Sequence, residues 1–268
     1  MKIGTTSFAF RYALLAPGTS PSPAQVIRQA KAAGVERVQL CENIRPLQLT
    51  RAQWNEALSA AQDLGVEIQL GCKTLKAEVV EKFIALAGRL GCDQLRIVTE
   101  EPDEHLHGTR ENVSALLEAI VPKLEAEGIR LAIENHFDIS SALLVELASP
   151  YPAPLVGFCV DTANSLRSFE PPLEVIRRLR ARAFCYHLKD YRVIGSMIGF
   201  SVEGAPLGEG DLDLAGCLRL IFEHAPVPPL FVETWTPSEN DRERDIARDA
   251  AWLRQSVKNL RPRLLRHP

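Results

Sequence analysis

The sequence predicts an α/β fold, a single (β/α)8 barrel spanning residues 1–268, and three observations lead there. The first is a glycine-then-strand pattern in the first half: Gly34-Val35-Glu36, Gly65-Val66-Glu67, Gly91-Cys92-Asp93 and Gly128-Ile129-Arg130. Each glycine follows a helical stretch, where a left-handed residue ends the helix, and the repeats lie one βα unit apart. The second is a run of apolar residues closed by a metal-ligand type: Leu131-Ala132-Ile133 then Glu134, Phe158-Cys159-Val160 then Asp161, Phe184-Cys185-Tyr186 then His187, and Leu230-Phe231-Val232 then Glu233. The third is length: 268 residues fit a barrel of roughly 250. An open doubly wound sheet is the alternative, but no G-x-G-x-x-G follows the first strand.

The strands are expected at Ile3–Phe8, Arg37–Glu42, Glu67–Lys73, Gln94–Thr99, Arg130–Glu134, Val156–Asp161, Arg182–His187 and Leu230–Glu233. Between them, Ser22-Pro23 starts one helix as N-cap and first-turn proline, and Thr50 caps the next. Further helices are expected near Lys76–Leu90, Thr109–Glu127, Ser141–Leu147, Leu173–Arg180, Asp213–Glu223 and Asp241–Lys258. Pro122 should kink the fourth long helix or start a new turn within it. Asp211 or Asp213 should cap the helix that follows strand 7. The apolar, glycine-rich stretch from Gly195 to Gly210, with Met197, Ile198 and Phe200, suits a lid-like loop at about residues 190–210.

Side chains two apart on a strand share a face. Glu134 therefore stands above Ala132, Asp161 above Cys159 and His187 above Cys185, with Ile133, Val160, Tyr186 and Val232 turned toward the helices. Four ligand-type residues on strands 5 to 8 converge at one barrel mouth. Three carboxylates and an imidazole make one divalent-metal site, Glu134, Asp161, His187 and Glu233, with Mn²⁺ the first choice and Mg²⁺, Co²⁺ or Zn²⁺ as the others. Open coordination positions would suit a substrate with vicinal oxygens. His136, on the same side as Glu134, is a candidate base or hydroxyl contact, and Lys189 and Arg192 are candidates for an anionic group. Phe8, Glu42, Lys73 and Thr99, at ends of earlier strands, are candidate pocket lining, and Trp235 is placed to stack on a sugar face. His105 and His107 read as solvated loop residues.

A net charge of −3 excludes a general basic attraction to nucleic acid. No run of apolar residues is long enough to span a bilayer, so no membrane partner is expected. Cys41, Cys72, Cys92, Cys159, Cys185 and Cys217 contain no C-x-x-C pair and fall mostly in strands, which fits a reducing cytoplasm. The start, Met1-Lys2-Ile3-Gly4, runs straight into a strand and leaves no room for a signal peptide.

The segments Ile133-Glu134-Asn135-His136, Val160-Asp161-Thr162-Ala163-Asn164, His187-Leu188-Lys189-Asp190 and Val232-Glu233-Thr234 resemble the xylose isomerase-like TIM-barrel superfamily. Its members include sugar isomerases and epimerases, hydroxypyruvate isomerase, inosose dehydratase and endonuclease IV. The resemblance implies one divalent metal held by Glu134, Asp161, His187 and Glu233. It implies a sugar or keto-sugar substrate, and barrels of this kind often pair as homo-oligomers. Its epimerases imply an acid/base pair, Glu134 and Glu233, acting through an enediolate beside a ketose carbonyl. The alternative is β-elimination by a dehydratase or lyase from a keto-inositol, 3-keto-sugar or glycoside, since His187-Leu188-Lys189-Asp190-Tyr191-Arg192 is similar to inosose dehydratases and to lyases that cleave C-glycosides. There His136 or Lys189 would be the base. A non-catalytic sugar-binding subunit is the third reading, and paired glutamates argue against it because binding alone needs no two bases facing one carbon.

Overall fold

In a computed structural model, residues 1–14, 22–101, 108–137 and 139–265 are described. His105 and His107 lie outside them. Eight parallel strands close a barrel: β1 (Ile3–Thr6), β2 (Arg37–Leu40), β3 (Glu67–Lys73), β4 (Gln94–Val98), β5 (Arg130–Glu134), β6 (Val156–Asp161), β7 (Ala183–Leu188) and, after an inserted hairpin, β10 (Leu230–Val232). β10 pairs with both β7 and β1, so the chain's last strand shuts the cylinder. The helices around it are α1 (Arg11–Leu14), α2 (Pro23–Ala32), α3 (Arg51–Leu64), α4 (Ala77–Arg89), α5 (Arg110–Glu127), α6 (Ser141–Ala148), α7 (Pro172–Leu179), α8 (Leu214–Phe222) and α9 (Arg242–Leu264).

Local chemistry explains the boundaries. Ser22 and Thr50 cap α2 and α3, the latter through a reciprocal capping box with Gln53. Gly34, Gly65, Gly91 and Gly128 all have positive φ, as their place after a helix requires. α5 runs through Pro122 as one helix, so the proline starts no separate element. α9 likewise passes Pro262, because Leu253, Val257, Leu260 and Leu264 continue one buried stripe beyond the expected end at Lys258. Asp213, not Asp211, caps α8 by accepting from Gly216 N at 2.8 Å.

Strand alternation sorts the side chains as the sequence pattern requires. Ile133, Val160, Tyr186 and Val232 are buried in the main core, between the strands and helices. Ala132, Cys159, Cys185 and Phe231, joined by Phe184, form a separate small cluster inside the barrel. A Cβ on Gly4 would stand 2.5 Å from the ring of Phe231, so β1 gives up its side chain to let that ring fill the barrel floor. Glu134, Asp161, His187 and Glu233 stand one layer above.

The lid-like stretch is a β-hairpin rather than a loop. β8 (Asp190–Ser196) and β9 (Gly199–Ala205) pair antiparallel from Asp190↔Ala205 to Ser196↔Gly199, leaving Met197-Ile198 as the turn. The glycines masked the strand signal of Val193, Ile194 and Val202. At the hairpin's base a Cβ on Gly204 would come within 2.1 Å of the Trp235 carbonyl oxygen. Gly204→Ala must therefore push the hairpin off the segment that carries Glu233. Its expected cost is about 1–3 kcal/mol in urea unfolding; wild-type stability in that variant would contradict so tight an approach.

Candidate metal centre and active site

The ligand-type residues meet because the strands carrying them are neighbours in register. Asp161 is the Cα partner of His187, and Phe231, two residues before Glu233, is also a partner of His187. Glu134, Asp161 and His187 each place a ligand atom within 4.8 Å of the other two. His187 Nδ1 lies 3.5 Å from Glu134 Oε2 and 3.2 Å from Glu233 Oε2. All four are buried. Asn135 pins β5 to β6, accepting from Asp161 N at 2.7 Å and donating to Asp161 O at 2.9 Å. Asp161 Oδ1 is fixed by the amides of Ala163 and Asn164 at 2.7 and 2.8 Å, and this turns Oδ2 toward the cluster.

Two cations are built into the same centre. Arg96 on β4 is buried and donates from Nε to Glu134 Oε2, while its Nη1 lies 3.3 Å from Glu42. Lys189 Nζ lies 2.8 Å from Glu233 Oε1, 3.2 Å from Asp161 Oδ2 and 3.1 Å from Asn164 Oδ1. Asn164 Nδ2 also donates to Glu134 Oε1 at 2.8 Å. Burial alone would raise the Glu134 and Glu233 carboxyls. Arg96 and His187 outweigh it at Glu134, Lys189 and His187 outweigh it at Glu233, and both fall below the usual carboxylate range. At Asp161 burial wins over Lys189 and the group is raised. Burial would lower His187, but Glu134 and Glu233 push it up to about 9.

The donor set fits one divalent ion. Asp161 Oδ2, His187 Nδ1 and Glu233 Oε2 are buried with ion-pair contacts at 3.2 Å but no hydrogen bond of good geometry, and poorly satisfied buried polar groups cost about 1–3 kcal/mol each unless something else satisfies them. Among the described residues Arg96 and Lys189 pair with Glu42, Glu134, Asp161 and Glu233, so once His187 gives up its proton the four carboxylates keep two negative charges, which a divalent ion would balance. His187 Nε2 lies 3.1 Å from Gln39 Oε1, a contact that orients the ring and leaves Nδ1 for the cluster.

A cavity of about 300 Å³ opens above this cluster. Phe8, Lys73, His136, Lys189, Glu233 and Trp235 line it, as do Glu42 and Arg11. Phe8 reaches it from a short 3-10 turn, Ser7–Phe10, because β1 ends at Thr6. His136 Nδ1 is hydrogen-bonded to Glu100 Oε1, and Lys73 Nζ holds the other oxygen at 2.6 Å. Burial works against the Glu100 charge, yet His136 and Lys73 hold that carboxyl at about 2. Trp235 Nε1 donates to Asp190 O at 2.7 Å. Arg192 is not brought in: it is exposed on β8, binding Glu209 O at 2.8 Å, because its strand has left the barrel. Thr99 is buried but does not line the cavity.

Sequence reading missed Arg96, Asn164, Arg11 and Glu100. Arg96 had a signal, a charge in mid-strand two residues from Gln94 and therefore on the inner face. Arg11 had none, since it lines the cavity from α1 beside Thr236 O, which barrel closure brings next to it from the other end of the chain.

No helix among the described residues is long and apolar enough to cross a membrane. Over 97% of its length the chain is 26% identical to the 3-oxo-isoapionate decarboxylase of Pectobacterium atrosepticum, covering 95% of that protein. The D-allulose 3-epimerase of Methylomonas sp. superposes with a TM-score of 0.72 at 12% identity, covering 98% of each chain. The probable 3-DHS dehydratase involved in petrobactin synthesis from Bacillus anthracis gives 0.69 at 15% identity, covering 97% of this chain and 98% of that one. Residues 27–256 match the family described as xylose isomerase-like TIM barrel. With the closed eight-stranded barrel and the carboxylate–histidine cluster at its mouth, the chain belongs to the xylose isomerase-like TIM-barrel family.

Proposed function

We propose that the protein is a metal-dependent carbon–carbon lyase that decarboxylates a keto acid derived from a sugar, with Glu134, Asp161, His187 and Glu233 holding one divalent ion, Mn²⁺ first among the candidates. The observation that carries this reading is Arg11. Lys73, Arg96 and Lys189 in the cavity wall are paired with Glu100, Glu134 and Glu233, whereas among the described residues Arg11 has no carboxylate partner and donates to Thr236 O, and a neutral ketose needs no such guanidinium. The similarity to a 3-oxo-isoapionate decarboxylase supports it.

The same cations argue against the expected acid/base pair. Glu134 is bound by Arg96 and Asn164, and Glu233 by Lys189. Both are held below the ordinary carboxylate range, so they are poor bases for a C–H beside a ketone. Decarboxylation asks for no base at carbon. The pair from the breaking C–C bond moves onto the ketone oxygen, CO₂ leaves, and a proton returns to the carbon. When bound, the divalent ion supplies polarisation of that ketone. In this reading Arg11 and Lys73 orient the substrate carboxylate, Lys189 and Arg96 stabilise the oxygen that gains charge, and His136, hydrogen-bonded to Glu100, returns the proton. Phe8 and Trp235 cover the sugar carbons, and the β8–β9 hairpin is the lid.

The test is CO₂ release from a panel of 3-keto sugar acids with Mn²⁺-loaded protein. Arg11→Met and Lys73→Met should each lower kcat/KM by about 10–100-fold, the value of a charge-assisted hydrogen bond. Should neutral ketoses instead exchange deuterium beside the carbonyl, without CO₂ from any keto acid, the isomerase or epimerase reading with Glu134 and Glu233 would replace this one. An ultraviolet-absorbing enone without CO₂ would point to β-elimination.

A further inference from the structure

Beneath the carboxylates lie two thiols, Cys159 and Cys185, that the proposed reaction does not use. Cys159 precedes Asp161 by two residues on β6, and Cys185 precedes His187 by two on β7, so alternation turns both thiols into the barrel under the residues above. The two cysteines are Cα partners across the β6–β7 pair, and neither is exposed. Cys159, Cys185 and His187 each bring a ligand atom within 4.8 Å of the other two. Gln94 Nε2 donates to Cys185 Sγ at 3.3 Å, a contact that favours charge on the sulfur.

Softness separates this set from the one above it. Three carboxylates and an imidazole suit hard ions such as Mn²⁺ or Mg²⁺, whereas two sulfurs and an imidazole suit Zn²⁺ or Cd²⁺. A tetrahedral ion with bonds of about 2.3 Å to sulfur and about 2.0 Å to nitrogen would hold its ligand atoms about 3.5–3.8 Å apart, inside the 4.8 Å that bounds this set. His187 is common to both sets. Its Nε2 is engaged by Gln39 Oε1 at 3.1 Å, so Nδ1, which faces the Glu134 and Glu233 carboxylates, is the nitrogen left to a metal. One ion at a time can take it.

We propose that Cys159, Cys185 and His187 form a second binding site, for a soft divalent cation of the zinc–cadmium class, and that filling it empties the carboxylate site by taking His187. Binding breaks two S–H bonds and releases both protons to solvent. The exclusion rests on the metal reading of the upper site, while the thiolate site stands without it.

Cd²⁺ added to the metal-free full-length chain is the probe. The expected result is a thiolate-to-metal charge-transfer band saturating at one ion per chain. Cys159→Ser and Cys185→Ser should each abolish that band, and Cys217→Ser, on α8, should retain it. The ¹¹³Cd resonance of the wild-type protein, which needs no variant, should fall in the sulfur-ligated range. Bound Mn²⁺, followed by electron paramagnetic resonance, should be displaced by one equivalent of Cd²⁺. A ¹¹³Cd resonance in the oxygen-only range, or a band that survives both serine substitutions, would overturn the site, and simultaneous binding of Mn²⁺ and Cd²⁺ would overturn the exclusion. Sulfur-bound Cd²⁺ in a protein that never takes Mn²⁺ would uphold the thiolate site and sink the metal reading of the carboxylates instead.

Discussion

Arg96→Met is expected to destabilise the metal-free protein by about 3–5 kcal/mol, among the largest single-residue effects in this fold. Arg96 and Glu134 are both almost wholly buried and bonded to each other, so removing the guanidinium leaves a carboxylate in the barrel with Asn164 as its remaining neutral donor. Methionine restores much of the volume, so the loss is electrostatic more than a cavity effect. Metal should restore part of that loss. A divalent ion at Glu134 supplies positive charge where Arg96 has gone, so saturating Mn²⁺ should stabilise the variant by about 2.7 kcal/mol at a hundred times its Kd. Urea unfolding with and without Mn²⁺ measures both quantities. A variant as stable as wild type without metal would mean that Glu134 accepts a proton or a new partner at little cost, and the charge balance drawn here would fail.

Metal affinity should fall about tenfold for each pH unit below 9, and so about a hundredfold from pH 8 to pH 6. Burial opposes the His187 charge, but Glu134 and Glu233 outweigh it and raise the imidazole to about 9. A metal must displace that proton. The linkage to stability runs the opposite way: a raised histidine supports the metal-free fold fully below its ordinary value near 6.5, and that support is lost as pH rises through 9. Metal is therefore bound most weakly where the metal-free protein is most stable. Calorimetric titration in buffers of different ionisation heat should show about one proton released per ion at pH 7. Affinity constant from pH 6 to 8 with no proton release would show that His187 is neutral before the metal arrives.

Much of the centre was legible in the chain because strand alternation is a local rule. A residue that closes an apolar run on strands 5 to 8 must sit on the layer above the residue two places earlier, and Ala132, Cys159, Cys185 and Phe231 do form the layer below. Helix ends were legible for a similar reason, since a capping side chain or a left-handed glycine acts within three or four residues. The β8–β9 hairpin was not, because its glycines hid a pairing that depends on cross-strand register.

By itself, then, the sequence determined the barrel, the ligand types and the face on which each stands, all of which follow from periods of two and 3.6 residues. What only the tertiary structure decided is the charge of the site. Arg96 and Arg11 come from β4 and α1, Lys73 and Glu100 from the ends of β3 and β4, and none is near Glu134 or Glu233 in the chain. Closure of the barrel sets those distances, and Coulomb interactions in a buried site depend on distance and burial rather than on sequence spacing. Glu134 and Glu233, which the sequence offers as an acid/base pair, are each held by a cation from elsewhere in the fold, Arg96 and Lys189.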